Sequence, residues 1–124
     1  MRVCIVDDEP ISRSVIRAVL SRSEEYEVEC FSDAISALAR CREVMFDLVL
    51  VDYRMSDMDG ITCIMHLRTL ADYQFIPVIM LTADHDRELR LAAVRSGATD
   101  FLNKPFDPDE LRVRAQNLLS LRKA

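Results

Sequence analysis

The sequence predicts an α/β fold with a doubly wound, five-stranded parallel sheet and five covering helices. Short β-rich runs alternate along the chain with stretches of helical spacing, which is the order that βαβ units produce. Two of the runs, Leu48–Val51 and Val78–Leu81, are continuously apolar, as strands buried on both faces of a sheet must be. Residues that commonly start or end helices stand at the ends of the stretches with helical spacing. Right-handed crossovers then follow as the default connection.

The predicted strands and helices follow one another along the whole chain. The strands are Val3–Val6, Val28–Phe31, Leu48–Val51, Val78–Leu81 and Phe101–Leu102. Helical spacing relates residues in each following segment, in this order: Ile11, Val15, Ala18 and Val19; Ile35, Leu38, Ala39 and Arg42; Ile61, Ile64, Met65 and Leu67; Leu89, Ala92 and Ala93; Leu111, Ala115, Leu118 and Leu119.

Helix-terminating residues agree with these segments. Pro10 suits the first position of the first helix, and Asp33 can cap the second. Gly97 is placed to end the fourth helix, since glycine tolerates the left-handed conformation of a C-terminal cap. The run Asp107–Glu110 offers the last helix a cap, a proline at its first position and a glutamate at its third.

Length and composition predict one globular domain spanning residues 1–124. Half of the residues are hydrophobic and 30% are charged, which is ordinary for a folded domain. The formal net charge of −5 argues against direct binding of nucleic acid or an anionic membrane. No apolar stretch approaches the ~18 residues that span a bilayer, and no signal-peptide hydrophobic region fits the N-terminus.

The four cysteines are predicted to be reduced thiols. They stand at positions 4, 30, 41 and 63 with no Cys-x-x-Cys pair. Cys4, Cys30 and Cys63 lie in or beside apolar segments, where a buried thiol is the simplest interpretation. Reduced cysteines indicate a reducing compartment, so we expect a cytoplasmic location.

Polar residues stand where the predicted strands end. Asp7 and Asp8 follow the first strand, Asp52 the third, Thr82 the fourth and Lys104 the fifth. Because the carboxyl ends of parallel strands share one edge of a sheet, these side chains are expected to converge in the ligand crevice. Lys104 is also one of only two lysines among 16 basic residues, which singles it out as a position that needs a compact ammonium.

Such a set of side chains predicts phosphoryl chemistry with a divalent cation. Carboxylates ~4 Å apart repel one another by about 4 kcal/mol at an effective dielectric near 20, so they either bind a proton or bind a cation. Hard oxygen ligands favour Mg²⁺, with Mn²⁺ as an alternative. A carboxylate can attack phosphorus to give an aspartyl phosphate, and Lys104 and Thr82 would stabilise the phosphoryl oxygens.

Taken together, the motifs at the strand ends resemble the receiver (phosphoacceptor) domain of two-component response regulators, and the likeness covers essentially the whole chain. The motifs that carry it are Val6–Glu9, Leu50–Met55, Met58–Gly60, Leu81–Ala83 and Phe101–Phe106. The resemblance implies a flavodoxin-like sheet in the order 2-1-3-4-5. It also implies a phosphoacceptor signalling domain that is not an enzyme in its own right.

The resemblance implies a role for each site residue. Asp52 would accept a phosphoryl group from the phosphohistidine of a sensor histidine kinase or a phosphotransfer protein. Asp8 and Asp52 would ligate Mg²⁺ directly, Asp7 through a water, and Arg54 through its backbone carbonyl.

Thr82 would hydrogen-bond a phosphoryl oxygen, and Ala83 would leave room for the group to approach. Lys104 would pair with the phosphoryl group, and Phe101 matches the aromatic switch position. The Lys104–Pro105 peptide would be cis.

Four positions depart from the family pattern or vary within it. Ser56 stands where a proline commonly follows the methionine, which implies a more flexible acceptor loop. Phe101 replaces a tyrosine, so the switch side chain lacks a hydroxyl. Arg54 and Asp84 occupy the positions that tune the lifetime of the phosphoryl group in the family.

The resemblance also implies an output surface made by the fourth helix, the fifth strand and the fifth helix. Arg90, Asp100, Glu110 and Arg114 partly match positions that form cross-subunit ion pairs in dimerising relatives, which suggests a phosphorylation-dependent homodimer. The apolar pattern of the last helix runs almost to residue 124. A receiver excised from a longer regulator with a C-terminal output domain is therefore one expectation, and a stand-alone receiver is the other.

Three other functions are alternatives to this one. A haloacid-dehalogenase-like phosphatase needs an acid two residues after its aspartate nucleophile, where this chain has Arg54. A flavodoxin-like nucleotide binder needs a phosphate loop rich in Gly, Ser or Thr, where this chain has acids. A phosphorylation-independent interaction module on the same fold stays open as the alternative, although such modules often lack one of the site residues found here.

Overall fold

The computed structural model describes residues 1–123 and confirms the predicted α/β architecture; Ala124, the last residue of the predicted domain, lies outside the described residues. The strands are β1 (Arg2–Val6), β2 (Glu27–Phe31), β3 (Leu48–Asp52), β4 (Val78–Thr82) and β5 (Asp100–Asn103). The helices are α1 (Pro10–Leu20), α2 (Ala34–Glu43), α3 (Gly60–Arg68), α4 (Arg87–Ser96) and α5 (Pro108–Lys123), with a 3-10 turn at Ala71–Tyr73.

All strand pairs are parallel, and the sheet order is β2-β1-β3-β4-β5. The central strands β3 and β4 are buried along their whole length, as their continuous apolar runs predict. The carboxyl ends of β1, β3, β4 and β5 therefore meet along one edge of the sheet, on the side from which the loops lead into the helices.

Alternation along the strands divides the core into two layers. On one face, Cys4 and Val6 of β1 pack with residues of α2, α3 and α4. On the other face, Val3 and Ile5 pack with residues of α1 and α5. Successive side chains of a strand point to opposite faces, so a single apolar run supplies both layers.

The predicted helix ends are confirmed. The Asp33 side chain accepts a hydrogen bond from the Ser36 N–H at the start of α2, and Pro10 opens α1. Gly97 ends α4 with φ of 111°, a conformation that side chains bearing a Cβ disfavour. The Asp107 carboxylate accepts from the Asp109 N–H at the start of α5.

In two helices the buried stripe coincides only in part with the residues that mark their spacing in the sequence, sharing Val19 in α1 and Leu38 in α2. In α1 the buried residues are Ile16, Val19 and Leu20, whereas Ile11 is 82% exposed. In α2, Ala34, Ala37, Leu38 and Cys41 are buried, and Ile35 is exposed. Both stripes have helical spacing, and contact with the sheet selects the one that lies flat on it.

All four cysteines are free thiols, in agreement with the sequence prediction. Cys4, Cys41 and Cys63 are buried in the layer beneath α2 and α3, and Cys30 on the edge strand β2 is partly exposed. Burial of Cys41 was not evident from the sequence, because its neighbours Arg40 and Arg42 are charged. No helix within residues 1–123 combines the length and the apolar character that a membrane span requires.

Candidate metal centre at the carboxyl edge of the sheet

The predicted site residues lie at the ends of four strands, where the sheet register fixes their spacing. Asp7 directly follows β1, Asp52 ends β3 and Thr82 ends β4. Lys104 directly follows β5, and its N–H donates to the Thr82 carbonyl at 2.8 Å, which extends the ladder by one residue. The parallel topology thus brings together residues that are distant in the chain, as the sequence predicts.

Three carboxylates form a cluster at this edge. Oxygen atoms of Asp7, Asp8 and Asp52 all lie within 4.8 Å of one another. Asp7 and Asp52 are buried, and Asp8 is half-buried. Asp7 is held from both sides, because its Oδ1 accepts from the Glu9 N–H at 3.0 Å and its carbonyl accepts from Arg13 at 2.8 Å.

Lys104 is the cation of the cluster. Its Nζ lies 3.0 Å from Asp7 Oδ2 and 3.3 Å from Asp52 Oδ2, and 3.6 Å from the exposed Glu9 carboxylate. Its side chain is only 15% exposed. One ammonium therefore faces two buried carboxylates at once, with Asp8 adding a third negative charge beside them.

Burial controls the protonation of Asp52. Desolvation raises the pKa of Asp52 to about 6; the Lys104 ammonium opposes this shift, and the Asp7 carboxylate adds to it. Burial by itself would lower the pKa of Lys104, but the hydrogen bond to Asp7 and the charges of Asp52 and Asp7 outweigh it, so the pKa is raised. The lysine stays charged, and the acids still exceed it in charge.

The donor set fits a hard divalent cation. Three carboxylates contribute only oxygen ligands, which Mg²⁺ and Mn²⁺ prefer over softer metals. The three aspartates carry three negative charges and Lys104 carries one positive charge, so two negative charges are left uncompensated. A divalent cation would neutralise them. The cluster can therefore hold a metal ion, and its charge balance favours one.

Arg54 lies in the loop after β3, and Thr82 ends β4. The Arg54 side chain is exposed, and its guanidinium carbon lies 5.8 Å from the centre of the Tyr53 ring. Thr82 is buried, and its Oγ1 accepts a hydrogen bond from the Asp84 N–H at 3.0 Å. This contact uses an oxygen lone pair, so the hydroxyl proton is available to another acceptor.

Phe101 lies on β5, directly opposite Met80 in the ladder with β4. Its ring is partly buried and carries the Arg90 guanidinium of α4, whose central carbon is 5.0 Å from the ring centroid. The stack joins β5 to α4 on the surface that the resemblance implies for output.

Some contributors to the site were not predicted as such from the sequence. Glu9, which faces Lys104, belongs to the predicted Val6–Glu9 motif, but two other contributors were not predicted. Arg13 donates to the Asp7 carbonyl, and Asp57 binds the start of α2. Each is a common surface residue type, and what sets it apart is a contact across the fold. The Lys104–Pro105 peptide is cis, as the resemblance implies.

Comparison with known proteins gives one consistent family. The family model described as the response regulator receiver domain matches residues 3–116. The cyclic di-GMP phosphodiesterase response regulator RpfG of Xanthomonas campestris is 42% identical over 123 residues. That alignment covers 98% of this chain but only 32% of the relative, so the chain spans about a third of the length of that protein.

Solved structures show the same fold over nearly the whole chain. The chemotaxis protein CheY4 of Vibrio cholerae superimposes with a TM-score of 0.89 at 32% identity, covering 94% of this chain and 97% of that one. The receiver domain of the Pseudomonas aeruginosa sensor histidine kinase PA1611, solved with a magnesium ion in its active-site cleft, gives a TM-score of 0.86 at 30% identity. Coverage there is 96% of this chain and 97% of the other.

The raised pKa of Asp52 predicts that Asp52→Asn stabilises the metal-free protein. The folded carboxyl binds its proton more tightly than the unfolded one, so the cost of ionising it appears as pH rises from about 4 and is complete above the folded pKa of about 6. At pH 7 the free energy of unfolding should rise by on the order of 2–3 kcal/mol in the variant.

Urea denaturation in EDTA at pH 7 and at pH 4.5 measures this effect. The gain should shrink markedly at the lower pH, and the exposed Asp72→Asn should change stability little at either. A variant less stable than the wild type at pH 7 would show that the Lys104 pairing outweighs the burial cost.

Proposed function

The chain belongs to the response regulator receiver domain family, and from this premise we propose that Asp52 accepts a phosphoryl group from a phosphohistidine in a Mg²⁺-dependent reaction. The observation that carries the proposal is the placement of Asp52, buried at the end of β3 between the Lys104 ammonium and two further carboxylates. A sensor histidine kinase or a phosphotransfer protein is the proposed donor.

The metal would be held by the acidic cluster and the acceptor loop. Asp8 and Asp52 are the proposed side-chain ligands, Asp7 acts mainly through a water, and Arg54 contributes its backbone carbonyl. The close spacing of the three carboxylates supports this assignment, and so does the magnesium ion in the cleft of the similar PA1611 receiver domain. When bound, Mg²⁺ supplies positive charge that offsets the charge on the phosphoryl oxygens.

In the transfer step, a carboxylate oxygen of Asp52 attacks the phosphorus atom of the donor. A phosphorus–oxygen bond forms, the phosphorus–nitrogen bond of the phosphohistidine breaks, and its electron pair stays on the imidazole nitrogen. The step needs Asp52 ionised, and with its pKa of about 6 the carboxyl is mostly ionised at neutral pH. The remaining residues act by position and charge.

Lys104 and Thr82 are the proposed partners of the transferred group. The Lys104 ammonium already lies 3.3 Å from the Asp52 carboxylate, so it needs only a small movement to pair with a phosphoryl oxygen on that carboxylate. The Thr82 hydroxyl can donate its proton to a second oxygen, since its existing contact with the Asp84 N–H uses a lone pair. Exposed Ala83 beside it leaves space for the group.

Phosphorylation is proposed to change the surface formed by α4, β5 and α5. A phosphoryl group adds about 1.5–2 negative charges and should draw Thr82 inward, which frees space for the Phe101 ring. Inward rotation of Phe101 would break its stack with Arg90 and so alter the α4 side of the surface. This is a shift between two packings, limited by the difference in free energy that phosphorylation creates.

The proposed target of that surface is an output domain or effector protein, or a second copy of the chain. RpfG, which is about three times as long as the aligned region, supports an output segment outside residues 1–124. In the structure Arg114 pairs within the chain, 2.7 Å from Asp100 and 3.0 Å from Glu110. A homodimer would exchange these pairs for equivalent ones across the interface.

Incubation with Mg²⁺ and a small acylphosphate tests the proposed reaction directly. One phosphate should be added at Asp52, and the adduct should be acid-stable and base-labile, as an acylphosphate is. Mass spectrometry of the intact protein and its peptides measures the adduct. Asp52→Asn or removal of Mg²⁺ should abolish it, whereas Asp72→Asn, a matched change at an exposed acid, should leave it intact.

Two results would contradict the proposal. Addition of phosphate to the Asp52→Asn protein would show that the phosphoacceptor is a residue other than Asp52. A wild-type protein that stays unmodified in Mg²⁺ with both an acylphosphate and a phosphorylated histidine protein would favour a phosphorylation-independent interaction module.

Arg114→Ala tests the dimer. Sedimentation velocity should show the phosphorylated wild type associating and the variant associating about tenfold more weakly, because an ion-pair partner is lost at the interface. Arg112→Ala is the matched control, since Arg112 lies on the same helix and pairs loosely with Asp109 at 3.8 Å. If the phosphorylated wild type and Arg114→Ala associate equally strongly, these ion pairs are not part of the interface.

A further inference from the structure

We propose that Asp57 is a positioning residue that braces the acceptor loop, residues 53–59, against the start of α2 and so keeps the Arg54 carbonyl in place for the metal. The inference rests on the proposed function, because Arg54 matters here only as a ligand of Mg²⁺. It concerns a residue that is exposed and distant in sequence from the helix that it binds.

The Asp57 carboxylate makes hydrogen bonds in two directions. Its Oδ2 accepts from the Ile35 N–H at 2.9 Å, and its Oδ1 accepts from the Ala34 N–H at 3.3 Å. The same Oδ1 accepts from the Met58 N–H of the loop at 3.1 Å. One side chain therefore fastens the loop backbone to the first two residues of α2.

Asp57 completes the capping of α2. An α-helix begins with four N–H groups that have no partner inside the helix. In α2 the helix's own hydrogen bonds begin with the Ala37 N–H, which donates to the Asp33 carbonyl. The Asp33 side chain accepts from the Ser36 N–H, and the N–H groups of Ala34 and Ile35 are left for Asp57. Partial burial alone would raise the pKa of Asp57, but these backbone hydrogen bonds outweigh it and hold the pKa below its ordinary value.

Backbone hydrogen bonds tie Tyr53, the first residue of the loop, to β4 and to the first residue of α3. The Tyr53 N–H donates to the Leu81 carbonyl at 2.8 Å, and the Gly60 N–H donates to the Tyr53 carbonyl at 2.7 Å. Within residues 1–123, the hydrogen bonds that tie loop positions 54–58 to another element are those of Asp57. Ser56 leaves the backbone beside Asp57 without the fixed φ that a proline would impose.

The brace predicts a reciprocal effect between the metal and α2. If the Asp57 contacts favour the loop conformation that binds Mg²⁺, then bound Mg²⁺ must favour those contacts by the same factor. Amide exchange at Ala34 and Ile35 should therefore slow when Mg²⁺ binds. A carboxylate that capped α2 without acting on the loop would produce no such coupling.

Three variants distinguish a brace on the loop from helix capping alone and from an effect of charge alone. They are Asp57→Ala, Asp57→Asn and Asp33→Ala. Asp33→Ala is the matched control, because it removes one carboxylate from the same helix start without touching the loop. Calorimetric titration with Mg²⁺ should show affinity about three- to tenfold weaker for Asp57→Ala and within twofold of the wild type for Asp33→Ala. Asp57→Asn loses the charge but keeps one carbonyl acceptor, and it should fall between the wild type and Asp57→Ala.

Amide exchange followed by NMR on the same proteins supplies the second readout. Mg²⁺ should slow exchange at Ile35 in the wild type and in Asp33→Ala, but not in Asp57→Ala. Equal Mg²⁺ affinity of the wild type and Asp57→Ala would overturn the brace, and equal losses in Asp57→Asn and Asp57→Ala would assign the effect to charge alone. A wild type that binds no Mg²⁺ would instead overturn the proposed function.

Discussion

Crowding of negative charge at one edge of the sheet is the constraint on which the rest of the structure depends. Asp7 and Asp52 are buried, and Asp8 lies beside them, yet among the ion pairs of the described residues only the Lys104 ammonium opposes this cluster. Such an arrangement costs folding free energy, as the raised pKa of Asp52 indicates. The same crowding creates a site that gains stability by taking up a divalent cation and places a carboxylate beside it as a nucleophile.

The sheet makes this crowding possible. The carboxylates lie at the end of β3 or just after β1, two strands that are almost entirely buried, so the backbone cannot easily move them apart. Two further contacts hold the loops at this edge: Arg13 of α1 donates to the Asp7 carbonyl, and Asp57 of the acceptor loop binds the start of α2. The stable central strands thus keep the carboxylates close together although their charges repel one another. Functional sites are commonly held in this way by a rigid scaffold.

Much of this could be predicted from the sequence, for physical reasons that differ by residue. The fold follows from strand runs and caps such as Asp33 and Gly97, which act locally. The convergence of Asp52 and Lys104 follows from parallel topology, which needs no side-chain detail.

The brace by Asp57, the Arg90–Phe101 stack and the burial of Cys41 could not be predicted, because each depends on how two distant elements pack. For α1, the helix and the burial of Val19 were predicted, but only packing decided that Ile16 and Leu20 face the core instead of Ile11 and Val15.

Dependence of stability on Mg²⁺ tests the central claim most directly. If the carboxylate cluster is a cation site, the free energy of unfolding measured with urea should rise with Mg²⁺ concentration, by about 1.4 kcal/mol per tenfold increase once the site is nearly saturated. Sodium chloride at matched ionic strength should not reproduce the rise, and Asp8→Asn should reduce it. The same small dependence in the wild type, in Asp8→Asn and in sodium chloride would contradict the claim that these acids are arranged around a cation.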